Sequence, residues 1–285
     1  MKKIHIAILI LTIYNISFGQ VKRVIVDIDT KERIPFVNIW VENEDTGTIS
    51  NEDGFFVLQN VDGNKTIVFS ATGYITKKID FKLVGDIVEL TPHVIELNEV
   101  IVSDSKQHKK KKIIDKLQKS KIRQYLPGFG KPYIFAKYFD FTEEYAKTPF
   151  LKEIRIATET EIKESNFIVR LYKINEEGEP EGYLYDKNII VVTKQGKKIM
   201  NINISHLNLE FPKSGFFVAV EWILTKPNSD IFDSFHPYIG FTHQESNENS
   251  WFYRFGVWKK VRAYSGEVFP KTTYKQLAVE LILTN

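Results

Sequence analysis

The sequence predicts an all-β protein made of two β-sandwiches. Aromatic residues form 13% of the 285 residues, including 21 Phe and 13 Tyr, and aromatic side chains favour strands. Short apolar runs separated by turn residues recur along the chain, which is typical of sandwiches. Charge divides the chain into three parts: residues 20–103 carry a net charge of −6, residues 104–125 carry +7, and residues 126–285 carry zero. We therefore expect two modules joined by a basic connector.

The overall composition excludes several classes of protein. The 39 basic and 36 acidic residues give a net charge of only +3, so a generally basic nucleic-acid-binding protein is excluded. Cysteine is absent, which excludes disulfides, thiolate metal sites and a cysteine nucleophile. A lipid-modified N-terminal cysteine is excluded for the same reason, so we do not expect a lipoprotein.

Residues 1–19 have the pattern of a secretory signal peptide. Lys2 and Lys3 precede an apolar run over residues 4–18, and the small residues Ser17 and Gly19 stand where a signal peptidase cleaves before Gln20. As a membrane span the run is short, and no later stretch reaches the ~20 apolar residues that a spanning helix needs. We expect an exported protein, soluble after cleavage, in the periplasm or at the outer-membrane surface.

Residues 20–103 predict a small sandwich of seven or eight short strands. The first strand alternates over residues 24–28, whereas residues 36–41 are apolar on both faces. The Asp53-Gly54 pair predicts a hairpin, because glycine accepts a positive φ. We find no helical period in this module.

Four sequence blocks follow one another in this module: Asp29 to Ile39, Thr46 to Phe56, Ile67 to Tyr74 and Leu97 to Val102. Together they resemble carboxypeptidase regulatory-like domains of the type found in exported Bacteroidetes proteins. The resemblance implies a transthyretin-like, seven-stranded Greek-key sandwich without catalytic residues of its own. Such domains also precede the plug of TonB-dependent receptors, but the 160 residues that remain here are too few for a plug and a barrel.

The connector, residues 104–125, predicts a short basic helix. Ile113, Ile114 and Leu117 have helical spacing and are surrounded by lysines. A solvated linker, a helix packed on the second module, docking onto the acidic module, and contact with an anionic surface all remain open.

Residues 126–285 predict a second antiparallel sandwich of jelly-roll type, with eight or more strands. Alternating or continuous apolar runs mark strands over residues 150–156, 167–172 and 216–223, and a last strand runs over residues 277–283. Trp222 follows the period of its strand and should face the core. The order of these runs resembles jelly-roll modules appended to exported Bacteroidetes proteins.

Motifs for catalysis or cofactor binding are absent from the sequence, so we expect no enzyme and no cofactor. His236 and His243, with Glu245 and Glu248 after them, allow a metal or acid–base site, but the stretch has the composition of a solvated loop. Asp45, Glu52 and Asp53 could bind calcium, although turn chemistry explains the same residues. We therefore assign no metal ligands.

The long segment 227–250, predicted to be a loop, is the most suggestive stretch for binding. Exposed aromatic rings offer flat faces to sugars or partner side chains; covering the open end of the sandwich is the alternative role. The candidate ligand-binding residues are Phe235, His236, Tyr238, Phe241, Trp251 and Trp258.

The function that follows is a non-enzymatic, exported cell-envelope protein that acts as a scaffold or binding module. The partner would be another envelope protein or a glycan. A carbohydrate-binding protein is the first alternative, and it requires exposed aromatics on the second sandwich. An unrecognised hydrolase is the second, and it requires convergent carboxylates among Glu221, Glu245, Glu248 and Glu267. We also expect the two modules to fold independently.

Overall fold

The computed structural model describes residues 22–59, 61–93, 110–232, 234–266 and 269–285. The fold of these residues is all-β, as predicted, with short 3-10 turns between strands. The signal-like segment 1–19, the fourth block of the family resemblance (Leu97 to Val102) and the first part of the connector lie outside the described residues. None of the described helical turns has the length and hydropathy of a membrane span.

The first module is a sandwich of seven described strands in two sheets, which agrees with the strand number that the resemblance implies. One sheet has the order β4-β1-β7 and the other β3-β2-β5-β6. Apolar side chains between the sheets form one core, among them Ile25, Ile39, Phe69 and Leu90. The strands are β1 (Arg23–Asp27), β2 (Asn38–Val41), β3 (Gly47–Ile49), β4 (Phe55–Phe56), β5 (Thr66–Ser70), β6 (Lys77–Asp80) and β7 (Ile87–Leu90).

The turn at Asp53-Gly54 forms, but it does not make the predicted hairpin. Gly54 has a φ of +73°, and the Asn51 side chain accepts hydrogen bonds from the backbone N–H groups of Asp53 and Phe55. The strands on either side belong to different sheets, because β3 pairs with β2 and β4 pairs with β1. A local turn signal does not reveal which strand each arm will pair with.

The second module contains the other thirteen described strands, which hydrogen bonds link into one sheet around a single large core. They are β8 (Lys111–Ile114), β9 (Gln124–Gly128), β10 (Ile134–Phe139), β11 (Phe150–Ile174), β12 (Pro180–Tyr183), β13 (Ile189–Asn203), β14 (Phe216–Trp222), β15 (Phe235–Gln244), β16 (Ser250–Arg254), β17 (Val257–Lys260), β18 (Tyr264–Gly266), β19 (Phe269–Leu277) and β20 (Val279–Thr284).

Strand β11, which is 25 residues long, organises this module. It pairs with β13 from Glu153 to Val169, and it pairs in turn with β20, β15 and β14. The two separate strands predicted over residues 150–156 and 167–172 are therefore the two ends of one strand. Trp222 is 1% exposed and lies in the core, which confirms its predicted orientation.

The predicted connector helix is wrong for the part of the connector that the structure describes. Residues 111–114 form β8, which pairs antiparallel with the C-terminal strand β20 from Ile114↔Leu281 to Lys111↔Thr284. After a short 3-10 turn, the chain enters β9, which pairs with β15. The spacing of Ile113, Ile114 and Leu117 suits a helix, but the open edge of β20 offers this segment a ladder of backbone hydrogen bonds.

The segment predicted as a long loop over residues 227–250 contains a ten-residue strand. Residues 235–244 form β15, with Ile239 and Phe241 pointing into the core. This strand pairs with β9, β11 and β19. This segment forms a strand, although its composition is that of a loop, because its alternate apolar residues are buried and its backbone pairs with three neighbouring strands.

The two modules are joined by a face-to-face apolar contact, which we call the module interface. Trp40 and Val68 lie on the outer side of the four-stranded sheet and pack against the outer side of the second module. Phe36 and Ile49 make a second patch with Ile168 and Ile223. The residues of the second module around Trp40 include Ile134, Ala136, Tyr172, Phe217, Ala219, Trp251 and Tyr253.

A buried polar network lies within the module interface. Glu221 is 0% exposed, and its carboxylate accepts hydrogen bonds from the Arg170 guanidinium and, at 2.5 Å, from Asn38 Nδ2 of the first module. Arg170 also donates to Asn188 Oδ1 at 3.1 Å. Each module alone would expose the apolar side chains of this interface, whereas the Arg170–Glu221 pair lies wholly within the second module. Independent folding of the two modules stays a prediction.

We predict that Glu221→Gln will strongly destabilise the protein. The amide keeps the shape and an acceptor for Asn38, but it leaves the Arg170 guanidinium buried without a counter-charge, which costs about 3–5 kcal/mol. Urea denaturation measures the loss. The matched control is Glu144→Gln, which breaks the exposed pair with Lys112 and should barely change the unfolding free energy. Equal effects of the two substitutions would contradict a structural role for the buried pair.

Candidate functional site

The structure places the six candidate binding residues in different environments. His236, Phe241 and Trp251 are buried at 0%, 0% and 5% exposure, so they cannot present ring faces to a ligand as expected. Phe241 fills the core of the second module, and Trp251 packs in the module interface. The reason is pairing: β15 and β16 are central strands, and their side chains are covered on the inner or the outer face of the sheet.

The other three candidates are half-buried. Tyr238 stacks on His236 with ring centroids 4.6 Å apart, and Phe235 packs near Gly128. Trp258 contacts Tyr172 and Tyr253 at the edge of the module interface. The structure does not gather these three into one pocket, and a binding role for them stays a prediction.

A different set of residues forms the candidate site, which we call the aromatic pocket. This cavity of about 480 Å³ lies at the junction of the two modules and is within the size range of small-ligand sites. It contains three aromatic rings, three cationic side chains and one carboxylate. The lining residues are Asp45, Leu126, Phe129, Lys131, Tyr133, Phe135, Arg254 and Lys275.

The aromatic wall comes from the loop between β9 and β10. Phe129 is 61% exposed, so its ring is accessible to a ligand. Tyr133 is held in place because its ring stacks on Phe252 at 5.8 Å with an interplanar angle of 3°. Burial raises the pKa of Tyr133 to about 12, with Arg254 opposing the rise, so this ring is neutral at physiological pH.

The ionic wall joins the two modules. Asp45, on the turn between β2 and β3, accepts a hydrogen bond from Arg254 Nη2 at 2.8 Å and forms an ion pair with Lys131 Nζ at 3.0 Å. Partial burial acts to raise the pKa of Asp45, but the hydrogen bonds and charges of Arg254 and Lys131 outweigh it, so the pKa is lowered. Burial also lowers the pKa of Lys275.

The lining of the pocket contains one carboxylate, that of Asp45, which is ionised and engaged by two cations. In the described ranges, no three His, Asp or Glu side chains are grouped to hold a metal ion. Asp45, one residue of the calcium alternative, faces Lys131 and Arg254.

A second cavity, the polar groove, is lined in part by residues 242–244 at the C-terminal end of β15. It has a volume of about 820 Å³ and is lined by charged, amide and hydroxyl side chains, including Glu245 and Glu248. Lys137 is 4% exposed at its base, where its Nζ contacts Asp115 Oδ2 at 2.8 Å. Burial lowers the pKa of Lys137, although Asp115 opposes the shift.

The structure gives the two histidines different partners and brings two of the late carboxylates into one cavity. His236 Nε2 lies 3.4 Å from Asp230 Oδ2, whereas His243 Nδ1 contacts Thr273 Oγ1 at 3.1 Å. Among the carboxylates of the hydrolase alternative, Glu245 and Glu248 share the groove, Glu221 is buried in the module interface, and Glu267 lies outside the described residues.

The sequence-based site lies after residue 227 and does not include Phe129, Lys131 or Tyr133 of the aromatic pocket. A local signal exists in the segment Pro127-Gly128-Phe129-Gly130-Lys131-Pro132-Tyr133. Two prolines and two glycines within seven residues mark a loop, and bulky rings within such a loop are candidates for exposure. The partner residues Asp45 and Arg254 carry no comparable signal, because only the module interface brings them to this loop.

We predict that Gly128→Ala will destabilise the protein and displace this loop. A Cβ at Gly128 would lie 2.9 Å from Trp222 Cγ and 3.0 Å from Phe235 Cβ, and overpacking of this kind costs about 1–3 kcal/mol. Thermal denaturation measures the effect. Gly85→Ala is the control, since its nearest neighbour would be 3.7 Å away, and the prediction is wrong if both variants melt together.

Comparison with known proteins identifies only the first module. Residues 21–102 match the family model of the CarboxypepD_reg-like domain, a non-catalytic domain type, which confirms the resemblance for that part of the chain. No curated protein matches the chain.

One solved structure with a weak likeness is that of the cysteine protease and lectin-like domains of Cwp84, a surface-layer-associated protein of Clostridium difficile. The identity is 10% and the TM-score 0.42, over 88% of this chain and 58% of that one. The chain thus spans less than two thirds of that protein, and a likeness at this level carries no argument about function. The family likeness is thus limited to residues 21–102, which match the model of the CarboxypepD_reg-like domain.

Proposed function

We propose that this protein is a non-enzymatic, exported cell-envelope binding protein, with the aromatic pocket as its ligand site. The observation that carries the proposal is the exposed Phe129 ring beside the fixed Tyr133 ring, in a cavity that also holds three cations. Sites of this kind bind by stacking and charge, and the lack of a carboxyl pair in the lining favours binding over catalysis.

The first module acts as a scaffold in this proposal. Its outer sheet buries Trp40 against the second module, and its β2–β3 turn brings Asp45 to Lys131 and Arg254. The backbone N–H of Asn43, on the same turn, donates to Phe255 O at 3.0 Å. These contacts fix the ionic wall relative to the aromatic wall before a ligand binds. A preformed pocket loses less conformational entropy on binding.

A carbohydrate is the ligand class that the pocket favours over a protein partner. Sugar rings present flat C–H faces to aromatic side chains, and the cavity of about 480 Å³ is concave and small rather than a broad, flat surface. One aromatic stacking contact contributes about 0.5–1.5 kcal/mol beyond buried area. Two rings therefore support weak affinity, roughly micromolar to millimolar, after the cost of association.

We predict that Phe129→Ala will weaken glycan binding by about three- to tenfold, which corresponds to the loss of one stacking contact. Binding of wild type and variant to a glycan array, followed by calorimetry on the best ligand, measures the change. Phe232→Ala is the control, because Phe232 is 81% exposed and lies outside the pocket lining. If a folded Phe129→Ala protein binds as tightly as wild type, the site lies elsewhere.

Export adds a separate prediction. The Lys2-Lys3 pair, the apolar run and the small residues before Gln20 predict that the mature protein begins at Gln20. Mass spectrometry of the N-terminal peptide from the envelope fraction tests this cleavage. A mature protein that starts at Met1 would contradict the proposed localisation.

A further inference from the structure

We infer that Lys137, at the base of the polar groove, is a reactive amine that forms an imine with a small polyhydroxylated aldehyde. This site belongs to a different cavity from the aromatic pocket, so the inference does not depend on the proposed function. It goes beyond that function because it gives the groove a covalent and reversible mode of binding.

The first argument is the position of Lys137 on β10. The side chain alternates with Phe135 and Phe139 on the face of the strand that points into the core of the second module. It is 4% exposed, so its amine is removed from bulk water at a position where an apolar side chain would pack at a lower free-energy cost. A titratable group buried at such a cost in a cavity is a candidate for a functional role.

The second argument is the set of contacts around the amine. The Nζ atom of Lys137 forms an ion pair with Asp115 Oδ2 at 2.8 Å and donates a hydrogen bond to Val279 O at 3.2 Å. A lysine ammonium group has three N–H donors, and these two oxygens are its polar partners within the part of the chain that the structure describes. Because Lys137 belongs to the lining of the groove, the remaining position on Nζ is left for a ligand.

The third argument is the protonation of the amine. Burial lowers the pKa of Lys137, and the charge and hydrogen bond of Asp115 offset this effect only in part. A larger fraction of this amine is therefore uncharged at neutral pH than for an exposed lysine, and the uncharged amine is the nucleophile. The Asp115 side chain is 52% exposed. The other titratable groups in the lining are Lys116, Lys121, His243, Glu245 and Glu248.

The lining of the groove indicates the class of ligand. Three lysines and three carboxylates leave it without net charge when His243 is neutral, so it favours an uncharged molecule. Several side chains carry hydroxyl or amide groups, which donate to and accept from the hydroxyl groups of a ligand. The volume of about 820 Å³ is ample for a small molecule. The hydroxyl and amide side chains are Thr242, Gln244, Ser246, Asn249 and Gln276.

The chemistry needs no further reactant. The ammonium group first loses a proton to water in the open groove, and the Nζ lone pair then adds to the carbonyl carbon of the aldehyde. One amine proton passes to the carbonyl oxygen, which gives a carbinolamine. Loss of this hydroxyl group with the second amine proton, as water, gives the imine. Addition of water reverses the steps and restores the amine and the aldehyde.

The experiment traps the imine in the whole mature protein. Glyceraldehyde is added with sodium cyanoborohydride, which reduces an imine to a stable secondary amine, and peptide mapping by mass spectrometry compares Lys137 with Lys213, an exposed lysine outside the groove lining. We expect Lys137 to be labelled at least about threefold faster at about pH 7. The ratio should fall towards about pH 10, because ordinary lysines lose their proton there. Equal or slower labelling of Lys137 at neutral pH overturns the inference.

Asp115→Asn tests the cause of the reactivity. Because Asp115 raises the pKa of Lys137 against the effect of burial, its removal should speed the labelling of Lys137 about two- to fivefold at neutral pH. Glu245→Gln, which removes another carboxylate of the groove, is the control and should leave the rate unchanged. Slower labelling in a folded Asp115→Asn protein would contradict the inferred role of the uncharged amine. If this variant fails to fold by circular dichroism, the pH series on the wild-type protein decides the question.

A second aldehyde tests the choice of ligand. Propanal has a three-carbon chain, like glyceraldehyde, but lacks the hydroxyl groups, so we expect a smaller ratio of Lys137 to Lys213 labelling with propanal. Equal ratios for the two aldehydes would overturn the selection of a polyhydroxylated ligand. Neither result affects the glycan-array test of Phe129→Ala, which probes the aromatic pocket.

Discussion

The ion pair between Arg170 and Glu221 is the constraint on which the arrangement of the two modules depends. Both side chains are almost fully buried, and a charge removed from water is tolerated only when its partners are correctly placed. Asn38 of the first module supplies one of those partners at 2.5 Å. The pair therefore favours the orientation in which β2 lies over β14, and a shifted interface would leave a buried carboxylate without this donor.

The strand β14 holds Glu221 in the position that the buried ion pair requires. All seven of its residues are buried, because one face, with Phe216, Val218 and Val220, fills the core of the second module. The opposite face, with Phe217 and Ala219, meets the first module. Glu221 continues the outward face, so the ion pair is embedded in an apolar contact. Because β14 packs in the core of the second module on one face and against the first module on the other, it fixes the position of one module relative to the other.

The aromatic pocket is a consequence of the module interface. Its ionic wall requires Asp45 from one module and Arg254 from the other, and the hairpin that carries Arg254 also touches the first module. A Cβ on Gly256 would lie 3.2 Å from Val68, which shows how closely that hairpin approaches β5. Binding at the pocket is therefore coupled to the module interface, and substitutions that loosen the interface should also reduce affinity for a ligand.

The sequence by itself determined the all-β class, most strands of the first module and the two-sided burial of residues 36–41. Alternation and turn residues are local signals, and they act over a few residues. Tertiary structure alone decided that residues 111–114 form a strand, that Trp251 lies in an interface, and that Asp45 meets Arg254. Each of these depends on a partner far away in the chain, as in the pairing of Ile114 with Leu281. Apolar spacing shows which residues are buried, but it contains no information about which distant strand or sheet covers them.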